Sequence, residues 1–535
     1  MAKKSALPRV TYTNIQADFT PLHDMLDAAI PAFRSGLGKS RANLVGGRDD
    51  DDGTAYEALS PIDRSLALGT FVAASQDAVE RAAAAAAKAF LAWSAVPWRE
   101  RVAVMRRLAE ILDSRKYDLG IAALLEVGKS RMEAIGEAEE AVDLVSYYCD
   151  EMERNEGFAR PLNRAFEYEE TRDVLRPVGV FGVIAPFNYP VALPVNMMVG
   201  ALITGNTVVY KPSPGAGLTG AMLVDALVEA GLPEGAVNLV CGEAAGAYLV
   251  DEPAIGGIAF TGSYAVGMEI YRKLAAGPYA RPMVVEMGGK NPAYVTASAD
   301  LDVAADGVMR SAFGLQGEKC SACSVAYVET PVLEPFVELL AERTGKLKVG
   351  TPEDRDVFVG PVIDAGAHAR FEGAVKESRA QGRVVTGGAR LEGGVHDGGY
   401  YLAPTVVADL PADHRLHGEE LFLPFIAVTA FDDLNAALER GNRVVYGLTA
   451  GIFAEREDEL ALFFDKAQAG VLYANRRSGA TTGAWPGIQT FCGWKGSGVS
   501  GKGGLGPYYL PQFMREQSHT IMRRPTDGNG DERRK

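Results

Sequence analysis

Residues 178–213 read VGVFGVIAPFNYPVALPVNMMVGALITGNTVVYKPS, and this stretch contains the pattern that decides the fold. Short apolar runs typical of buried strands occur here and in the following fifty residues: 178–185, 207–210, 237–240 and 258–260. They alternate with helical stretches such as 221–230. Alternating strands and helices are typical of a parallel β-sheet covered by helices, so the sequence predicts an α/β fold.

The pattern differs on either side of this stretch. Between residues 76 and 152 apolar residues recur at helical spacing, which predicts several helices in succession. A second alternation of strands and helices begins at residue 293 and ends near residue 471. Its predicted helices lie near 333–344, 368–381 and 434–441. We therefore expect a second α/β domain in the C-terminal half.

The composition limits the class of protein. With 535 residues, of which 47% are hydrophobic and 23% charged, the chain is long enough for two or three globular domains. A net charge of -15 disfavours binding to nucleic acid or to an anionic membrane surface, and favours a small-molecule substrate. No secretory signal or membrane span is recognisable, because Arg81 and Lys88 interrupt the alanine-rich run. A cytoplasmic location is expected.

The cysteines and histidines argue against disulfides and metals. Five cysteines in so long a chain do not suggest a disulfide framework, which indicates a reducing compartment. Cys320 and Cys323 form a single C-x-x-C motif without a second pair, and the six histidines include no H-E-x-x-H motif. No metal site is expected.

Cys320 is the main candidate for a reactive side chain. It lies in the run QGEKCSA at 316–322, where glycine permits a tight backbone and the adjacent Lys319 is expected to favour a thiolate. A lone cysteine is more often a small buried apolar residue, so this motif alone does not establish chemistry.

Two other motifs supply what a cysteine nucleophile needs. VEMGGKNP at 285–292 places Glu286 at the end of an apolar run, and PFNYP at 186–190 places Asn188 after a predicted strand. Each motif alone also fits a simple turn. Together, a nucleophile, a carboxylate base and an amide donor for an oxyanion are the set that acyl chemistry requires.

These motifs occur in the order found in the aldehyde dehydrogenase superfamily, which the chain resembles over about residues 55–520. The matching runs are 186–190, 211–213, 260–263, 286–292, 316–322 and 419–422, with Phe491 near the end. The resemblance implies that Cys320 attacks an aldehyde and that Asn188 stabilises the oxyanion. It also implies that Glu286 activates the water that hydrolyses the resulting thioester.

The resemblance further implies NAD or NADP as the cofactor. No G-x-G-x-x-G motif follows the first strand of the parallel sheet. The expected cofactor-binding residues are Pro186, Phe187, Lys211, Ser213, Gly262, Ser263, Gly267, Glu420 and Phe422. Pro214 stands where NAD-preferring members often have a glutamate, so the sequence leaves the choice between NAD and NADP open.

Within this superfamily the motifs around Cys320 and 478–480 resemble the branch that oxidises L-glutamate γ-semialdehyde. The resemblance implies substrate contacts from Ser321, Gly479, Ala480, Phe491 and Glu137. Ser321 and the N–H groups of Gly479 and Ala480 would bind the α-carboxylate. Glu137 would either receive the ammonium group or lie on a solvated helix face. The loop 481–487 around Trp485 is longer than expected for this branch, so other semialdehydes stay open.

The superfamily fold implies two Rossmann-like α/β domains and a small oligomerisation element. Residues 1–160 and 178–288 would form the NAD(P)-binding domain, and 289–492 the catalytic domain. Residues 161–177 and 493–535 would form the oligomerisation element and C-terminal tail, with a hairpin near 166–176 and a strand near 519–522. A homodimer or higher homo-oligomer is expected.

Three alternatives to this function stay open. The chain would oxidise another semialdehyde or a broad range of aldehydes if the substrate assignment is wrong. An acylating enzyme would transfer the thioester to coenzyme A, although Glu286 favours hydrolysis. A catalytically silent, dehydrogenase-like binding protein is the third alternative, and the presence of Cys320, Glu286 and Asn188 together argues against it.

Overall fold

The computed structural model describes residues 7–14 and 17–523 of the chain. The α-helices are α1 Thr20–Arg34, α2 Gln76–Trp93, α3 Trp98–Val127, α4 Arg131–Arg154, α5 Ala192–Ile203, α6 Gly217–Glu229, α7 Ala245–Asp251, α8 Tyr264–Ala275, α9 Leu301–Phe313, α10 Leu333–Gly345, α11 Ala365–Gln381, α12 Leu434–Asn442 and α13 Glu457–Lys466. None of these helices is both long and apolar enough to cross a membrane. The helical succession predicted for 76–152 is confirmed by α2, α3 and α4.

The strands alternate with these helices in both halves of the chain. They are β1 Lys39–Arg41, β2 Asn43–Val45, β3 Arg48–Asp50, β4 Gly53–Leu59, β5 Ala67–Ala74, β6 Ala159–Pro161, β7 Glu169–Pro177, β8 Val180–Ile184, β9 Thr207–Lys211, β10 Val237–Leu239, β11 Ile255–Gly262, β12 Met283–Met287, β13 Asn291–Val295, β14 Cys323–Glu329, β15 Arg383–Thr386, β16 Thr405–Ala408, β17 Phe425–Phe431, β18 Tyr446–Gly447, β19 Thr449–Phe453, β20 Val471–Ala474, β21 Trp494–Lys495 and β22 Met514–Met522. The predicted α/β fold class is confirmed.

The first large sheet has the strand order β12-β11-β8-β9-β10-β2-β3. Strands β8 to β12 run parallel, with Val180 opposite Thr207 and Thr261 opposite Glu286, while β2 and β3 add antiparallel strands at one edge. Parallel strands end at the same edge of the sheet, and ligands bind there in open α/β folds. The carboxyl ends of β8, β9, β11 and β12 therefore bring together segments that are far apart in sequence.

The second large sheet has the order β15-β16-β17-β14-β13-β19-β20. Its strands are parallel except for β15, which pairs antiparallel with β16. The loop between α9 and β14 carries Cys320, so the nucleophile comes from the second sheet while Asn188 and Glu286 come from the first. The division into an NAD(P)-binding and a catalytic domain at residues 288 and 289 stays a proposal.

A small antiparallel sheet, in the order β22-β7-β6, lies apart from these two. Strand β22 pairs with β7 along its whole length, from Met514 opposite Pro177 to Met522 opposite Glu169. The hairpin and C-terminal strand expected in this region are thus longer than the sequence indicated. Their role in oligomerisation stays a proposal.

Two segments towards the chain ends have defined structure. Arg48–Asp50 forms strand β3, and Asp50 pairs with Arg81. Residues 493–535 were assigned to the oligomerisation element and tail, yet Leu505, Tyr509, Leu510 and Phe513 are buried in the core that contains α3, α4 and α5. Residues 524–535 of that segment lie outside the described residues.

Candidate active site

Two neighbouring cavities lie at the carboxyl edge of the first sheet. The Cys320 cavity, of about 430 Å³, is lined by Asn188, Cys320, Glu420 and Phe422 among others. The Lys211 cavity, of about 370 Å³, lies beside β9 and α8. Both cavities share a wall formed by Pro186, Phe187, Thr261, Gly262 and Ser263. An elongated ligand can therefore extend from one cavity into the other.

Cys320 is half-buried at the floor of its cavity. Burial, together with the nearby carboxylates of Glu420 and Glu286, raises the pKa of its thiol to about 12. The expectation that Lys319 favours a thiolate is wrong, because the Lys319 ammonium group pairs with Glu133 at 2.6 Å. Without a bound ligand the thiol is protonated at neutral pH, and a base has to accept its proton during reaction.

We expect alkylation of Cys320 by iodoacetamide to accelerate steadily with pH. Since the pKa of the thiol is raised to about 12, the thiolate fraction grows about tenfold for each pH unit between 7 and 9. The rate constant, measured by mass spectrometry of the Cys320 peptide in the cofactor-free protein, should follow this slope. A rate that levels off below pH 8 would contradict the raised pKa.

Glu286 lies in β12 at the edge of the first sheet, close to the glycine-rich segment after Phe491. A Cβ atom at Gly503 would come within 2.3 Å of its Oε1, so only glycine fits beside this carboxylate. Burial raises the pKa of Glu286 well above its usual value, while an N–H donated by Gly493 opposes this shift. Glu286 does not line the Cys320 cavity, but the following Met287 and Gly288 do. A carboxylate whose pKa is raised is, once ionised, a stronger base than an ordinary glutamate.

Asn188 connects the two sheets across the Cys320 cavity. It follows β8, and its Nδ2 donates a hydrogen bond of 2.8 Å to the carbonyl oxygen of Glu318, two residues before Cys320. This bond uses one of the two N–H groups of the amide. The second N–H is left for an oxygen atom bound at Cys320, as an oxyanion donor requires.

Most predicted cofactor residues line the two cavities. Lys211 and Ser213 lie in the Lys211 cavity, while Glu420 and Phe422 lie in the Cys320 cavity. Ser263 lies between them and caps α8, its Oγ accepting a hydrogen bond from Val266. The ring centroids of Phe187 and Phe422 are 6.0 Å apart, in an edge-to-face contact across the cavity.

These residues fit a nicotinamide dinucleotide. A buried lysine and the N-terminus of α8 provide positive charge for phosphates, and the Glu420 carboxylate provides acceptors for ribose hydroxyls. Glu420 is held by an N–H of Gly289 at 2.9 Å, and burial raises its pKa to about 7.

Gly267 differs from the other predicted cofactor residues. It lines neither cavity, and a Cβ atom there would meet the Met287 sulfur at 2.4 Å. Close packing of α8 on β12 explains this glycine, and its contact with the cofactor stays a prediction.

The predicted substrate residues are placed differently from the expectation. Ser321, Gly479, Ala480, Phe491 and Glu137 do not line the Cys320 cavity. The N–H groups of Gly479 and Ala480, expected to bind a carboxylate, instead donate to the backbone oxygens of Arg476 and Gly307. Ser321 is buried, and its carbonyl oxygen accepts a hydrogen bond from Thr481 at 2.7 Å.

Glu137 was expected on a solvated helix face or at the substrate ammonium group. It is instead completely buried and forms an ion pair with Lys129 at 2.6 Å, so the solvated interpretation is wrong. Its Oε1 also accepts hydrogen bonds from Val191 and Ala192. These partners engage both carboxylate oxygens, and the contact of Glu137 with substrate stays a prediction.

Some residues at this site have no recognisable signal in the sequence. Arg370 of α11 lines the Cys320 cavity, although in the sequence it looks like an ordinary charge on an amphipathic helix. Glu133 of α4 holds Lys319, and a buried carboxylate on a helix has no local sequence signal. In the part of the chain that the structure describes, no group of three or more potential ligands is arranged to hold a metal.

Comparison with known proteins identifies a family whose chemistry agrees with the geometry of the site. The model of the Aldehyde dehydrogenase family matches residues 48–519. The chain belongs to the aldehyde dehydrogenase family. It is thus an oxidoreductase of the class that acts on aldehyde groups with a nicotinamide dinucleotide.

Several relatives of this aldehyde dehydrogenase have a stated activity or ligand. A 1-pyrroline-5-carboxylate dehydrogenase of Bacillus licheniformis is 36% identical over 91% of this chain and 93% of its own length. The crystal structure of 1-pyrroline-5-carboxylate dehydrogenase from Thermus with bound NAD is 33% identical, covers 95% of this chain and 98% of that chain, and has a TM-score of 0.90. A longer protein, proline utilization A from Bdellovibrio bacteriovorus, matches over 95% of this chain but only 53% of its own chain, at 31% identity and a TM-score of 0.90.

Proposed function

We propose that this aldehyde dehydrogenase oxidises L-glutamate γ-semialdehyde to L-glutamate with NAD or NADP, as a step of proline catabolism. The observation that carries the chemistry is the joint placement of Cys320 and Asn188 in one cavity, next to the strand that bears Glu286. The substrate assignment is supported by the similarity over nearly the whole chain to 1-pyrroline-5-carboxylate dehydrogenases.

The reaction begins when the Cys320 sulfur forms a bond to the aldehyde carbon. The thiol proton leaves to solvent as this bond forms, so the Glu286 carboxylate stays available as the base for the later hydrolysis step. The negative charge that develops on the aldehyde oxygen is held by the free N–H of Asn188 and by the backbone N–H of Cys320. These donors are fixed before the reaction, so they cost little reorganisation.

A bound nicotinamide dinucleotide would supply the acceptor for the hydride that leaves the carbon bonded to the Cys320 sulfur. Lys211, Ser213 and Ser263 would hold its adenosine and phosphate groups, and Glu420 its nicotinamide ribose. Phe187 and Phe422 would enclose the nicotinamide ring between the two domains. The product on the enzyme is a thioester of Cys320.

Hydrolysis of the thioester completes the cycle. Glu286 removes a proton from water as the water oxygen attacks the thioester carbon, and the Cys320 sulfur leaves as a thiolate that recovers its proton. Asn188 stabilises the second oxyanion in the same position as the first. One aldehyde, one water and one oxidised cofactor give one carboxylate, one reduced cofactor and two protons.

The oligomeric state and the location are part of the same proposal. The exposed sheet β22-β7-β6 would pair with a second copy of the chain in a homodimer or higher homo-oligomer, because such sheets leave edges open to pairing. A cytoplasmic location is supported by the free state of the five cysteines.

A substrate panel tests the proposal. We expect formation of NADH or NADPH, measured at 340 nm, to show a kcat/KM at least about tenfold higher for glutamate γ-semialdehyde than for succinate semialdehyde or acetaldehyde. Equal or better turnover of the other aldehydes would refute the substrate assignment and leave the reaction class intact. Failure to turn over any aldehyde would support a silent binding protein.

A further inference from the structure

Helix α4 carries three buried carboxylates on one face, which we call the α4 carboxylate row: Glu133, Glu137 and Glu140. Their spacing of four and three residues places them one above another on the helix. Each binds a different segment of the chain. Glu140 accepts a hydrogen bond of 2.6 Å from the Tyr12 hydroxyl, which ties the N-terminal segment to the helix.

The first carboxylate of the row holds the nucleophile loop. The Lys319 ammonium group donates a hydrogen bond of 2.6 Å to Glu133, and both side chains are nearly excluded from solvent. Lys319 directly precedes Cys320 in the chain. The position of the nucleophile is therefore linked to α4.

The middle carboxylate holds the segment that follows the oxyanion amide. Glu137 Oε1 accepts hydrogen bonds of 2.7 and 3.0 Å from the backbone N–H groups of Val191 and Ala192, at the start of α5. Asn188 lies three residues before Val191. A carboxylate at a helix N-terminus is favoured both by these N–H groups and by the helix dipole.

Lys129 completes this arrangement. Helix α3 ends at Gly128, whose φ of 78° turns the chain so that Lys129 enters the interior. The Lys129 and Glu137 side chains are both 0% exposed and form an ion pair of 2.6 Å. The Lys129 ammonium group also lies 3.5 Å from the centre of the Tyr189 ring, the residue after Asn188. Lys129 and Glu137 thus hold residues 189–192 from two sides.

We propose that Glu137, paired with Lys129, is a positioning residue that fixes the Asn188 amide relative to Cys320. Helix α4 is the common support, because Glu133 holds the segment before Cys320 and Glu137 holds the segment after Asn188. The inference rests on the proposed function, since it assigns Glu137 a part in the same oxyanion chemistry. Small displacements of an oxyanion donor lower the rate strongly, because the donor acts only at short range.

The interpretation from the sequence, in which Glu137 receives the substrate ammonium group, makes a different prediction. A residue that binds the ammonium group affects KM, and only for substrates that carry an amino group. A residue that positions Asn188 affects kcat for every substrate that forms an oxyanion at Cys320. An activated ester such as p-nitrophenyl acetate belongs to the second class, because it acylates Cys320 and releases p-nitrophenolate without a cofactor.

The experiment compares Glu137→Gln with Glu139→Gln in the full-length protein. Glu139 is a matched control, because it is also a buried carboxylate of α4 but does not belong to the α4 carboxylate row. Its partners are the cationic side chains of Arg9 and Lys116. Substrates are glutamate γ-semialdehyde, an aldehyde without an amino group, and p-nitrophenyl acetate. Thermal unfolding and NADH binding are measured on each variant.

We expect Glu137→Gln to lower kcat about tenfold or more for all three substrates, with KM and NADH affinity changed by less than about twofold. Glu139→Gln should stay within about twofold of the wild type for all three. A loss confined to the amino-bearing aldehyde, or no loss at all, would overturn the inference. If the wild type hydrolyses the ester but oxidises no aldehyde, the proposed function is refuted. The ester kcat of Glu137→Gln then decides by itself whether Glu137 positions Asn188.

A double variant covers the case in which Glu137→Gln does not fold. Removing one partner of a buried ion pair leaves an uncompensated charge, whereas replacing both partners avoids that charge. Lys129→Met with Glu137→Gln is therefore expected to fold, and to show the same loss of kcat with the ester. Full ester hydrolysis by the folded double variant would contradict the positioning role.

Discussion

Replacing Cys320 with alanine is expected to lower kcat for aldehyde oxidation by about four orders of magnitude or more. Alanine has no sulfur to form the bond to the aldehyde carbon, and Cys320 is the only cysteine among the lining residues of the Cys320 cavity. The cavity walls that would hold the cofactor do not depend on the sulfur atom. NADH binding, measured by fluorescence titration, should therefore stay close to that of the wild type.

Cys323→Ala is the matched control for this variant. Cys323 lies three residues further on, is buried at the start of β14, and burial raises the pKa of its thiol to about 12 as well. Its Sγ donates to the Val325 backbone oxygen at 3.6 Å and does not line the Cys320 cavity. We expect kcat within about threefold of the wild type. A large loss in Cys323→Ala, or substantial turnover by Cys320→Ala, would show that Cys320 is not the nucleophile.

The fold and the central chemistry could be predicted from sequence because their signals are local. The apolar runs around 178–185 and 207–210 are the buried strands β8 and β9, and the polar residues that follow such strands come together at one sheet edge. Asn188 and Lys211 follow or end these strands, and Ser263 follows β11. Their clustering results from parallel topology alone.

The partners of the ionised side chains could not be predicted in the same way. Lys319 lies next to Cys320, and its adjacency suggested an effect on the thiol, yet its partner Glu133 is 186 residues away in the chain. Glu137 and Val191 are separated by 54 residues. A buried charge is stabilised by whichever opposite charge or N–H group tertiary packing brings to it, and single-sequence patterns do not encode that choice.

The N–H groups of Gly479 and Ala480 show that the partners of backbone groups are equally hard to predict from the sequence. A glycine in a loop suggests open space for an anion, but a buried N–H group requires a partner and takes the nearest carbonyl oxygen. Here the nearest oxygens belong to Arg476 and Gly307. Ala480 is 1% exposed, so this loop is part of the core around the second large sheet.

Replacing Glu286 with glutamine is expected to separate the two halves of the reaction. An amide does not accept a proton from water, so hydrolysis of the thioester should slow by about two to four orders of magnitude. With excess aldehyde and cofactor, rapid-mixing absorbance at 340 nm should show a burst of about one reduced cofactor per active site, followed by slow turnover. Mass spectrometry of the quenched protein should find the acyl group on the Cys320 peptide.

The pH dependence provides an independent check on the same residue. Because burial raises the pKa of Glu286 well above its usual value, the carboxyl group loses its proton only at the higher pH at which its raised pKa lies. Only the ionised form accepts a proton from water, so wild-type kcat for thioester hydrolysis should rise with pH through that pKa. The glutamine variant should lack this rise. A variant with an unchanged pH profile and no burst would show that another group activates the water, and would remove Glu286 from the mechanism while leaving Cys320 and Asn188 in place.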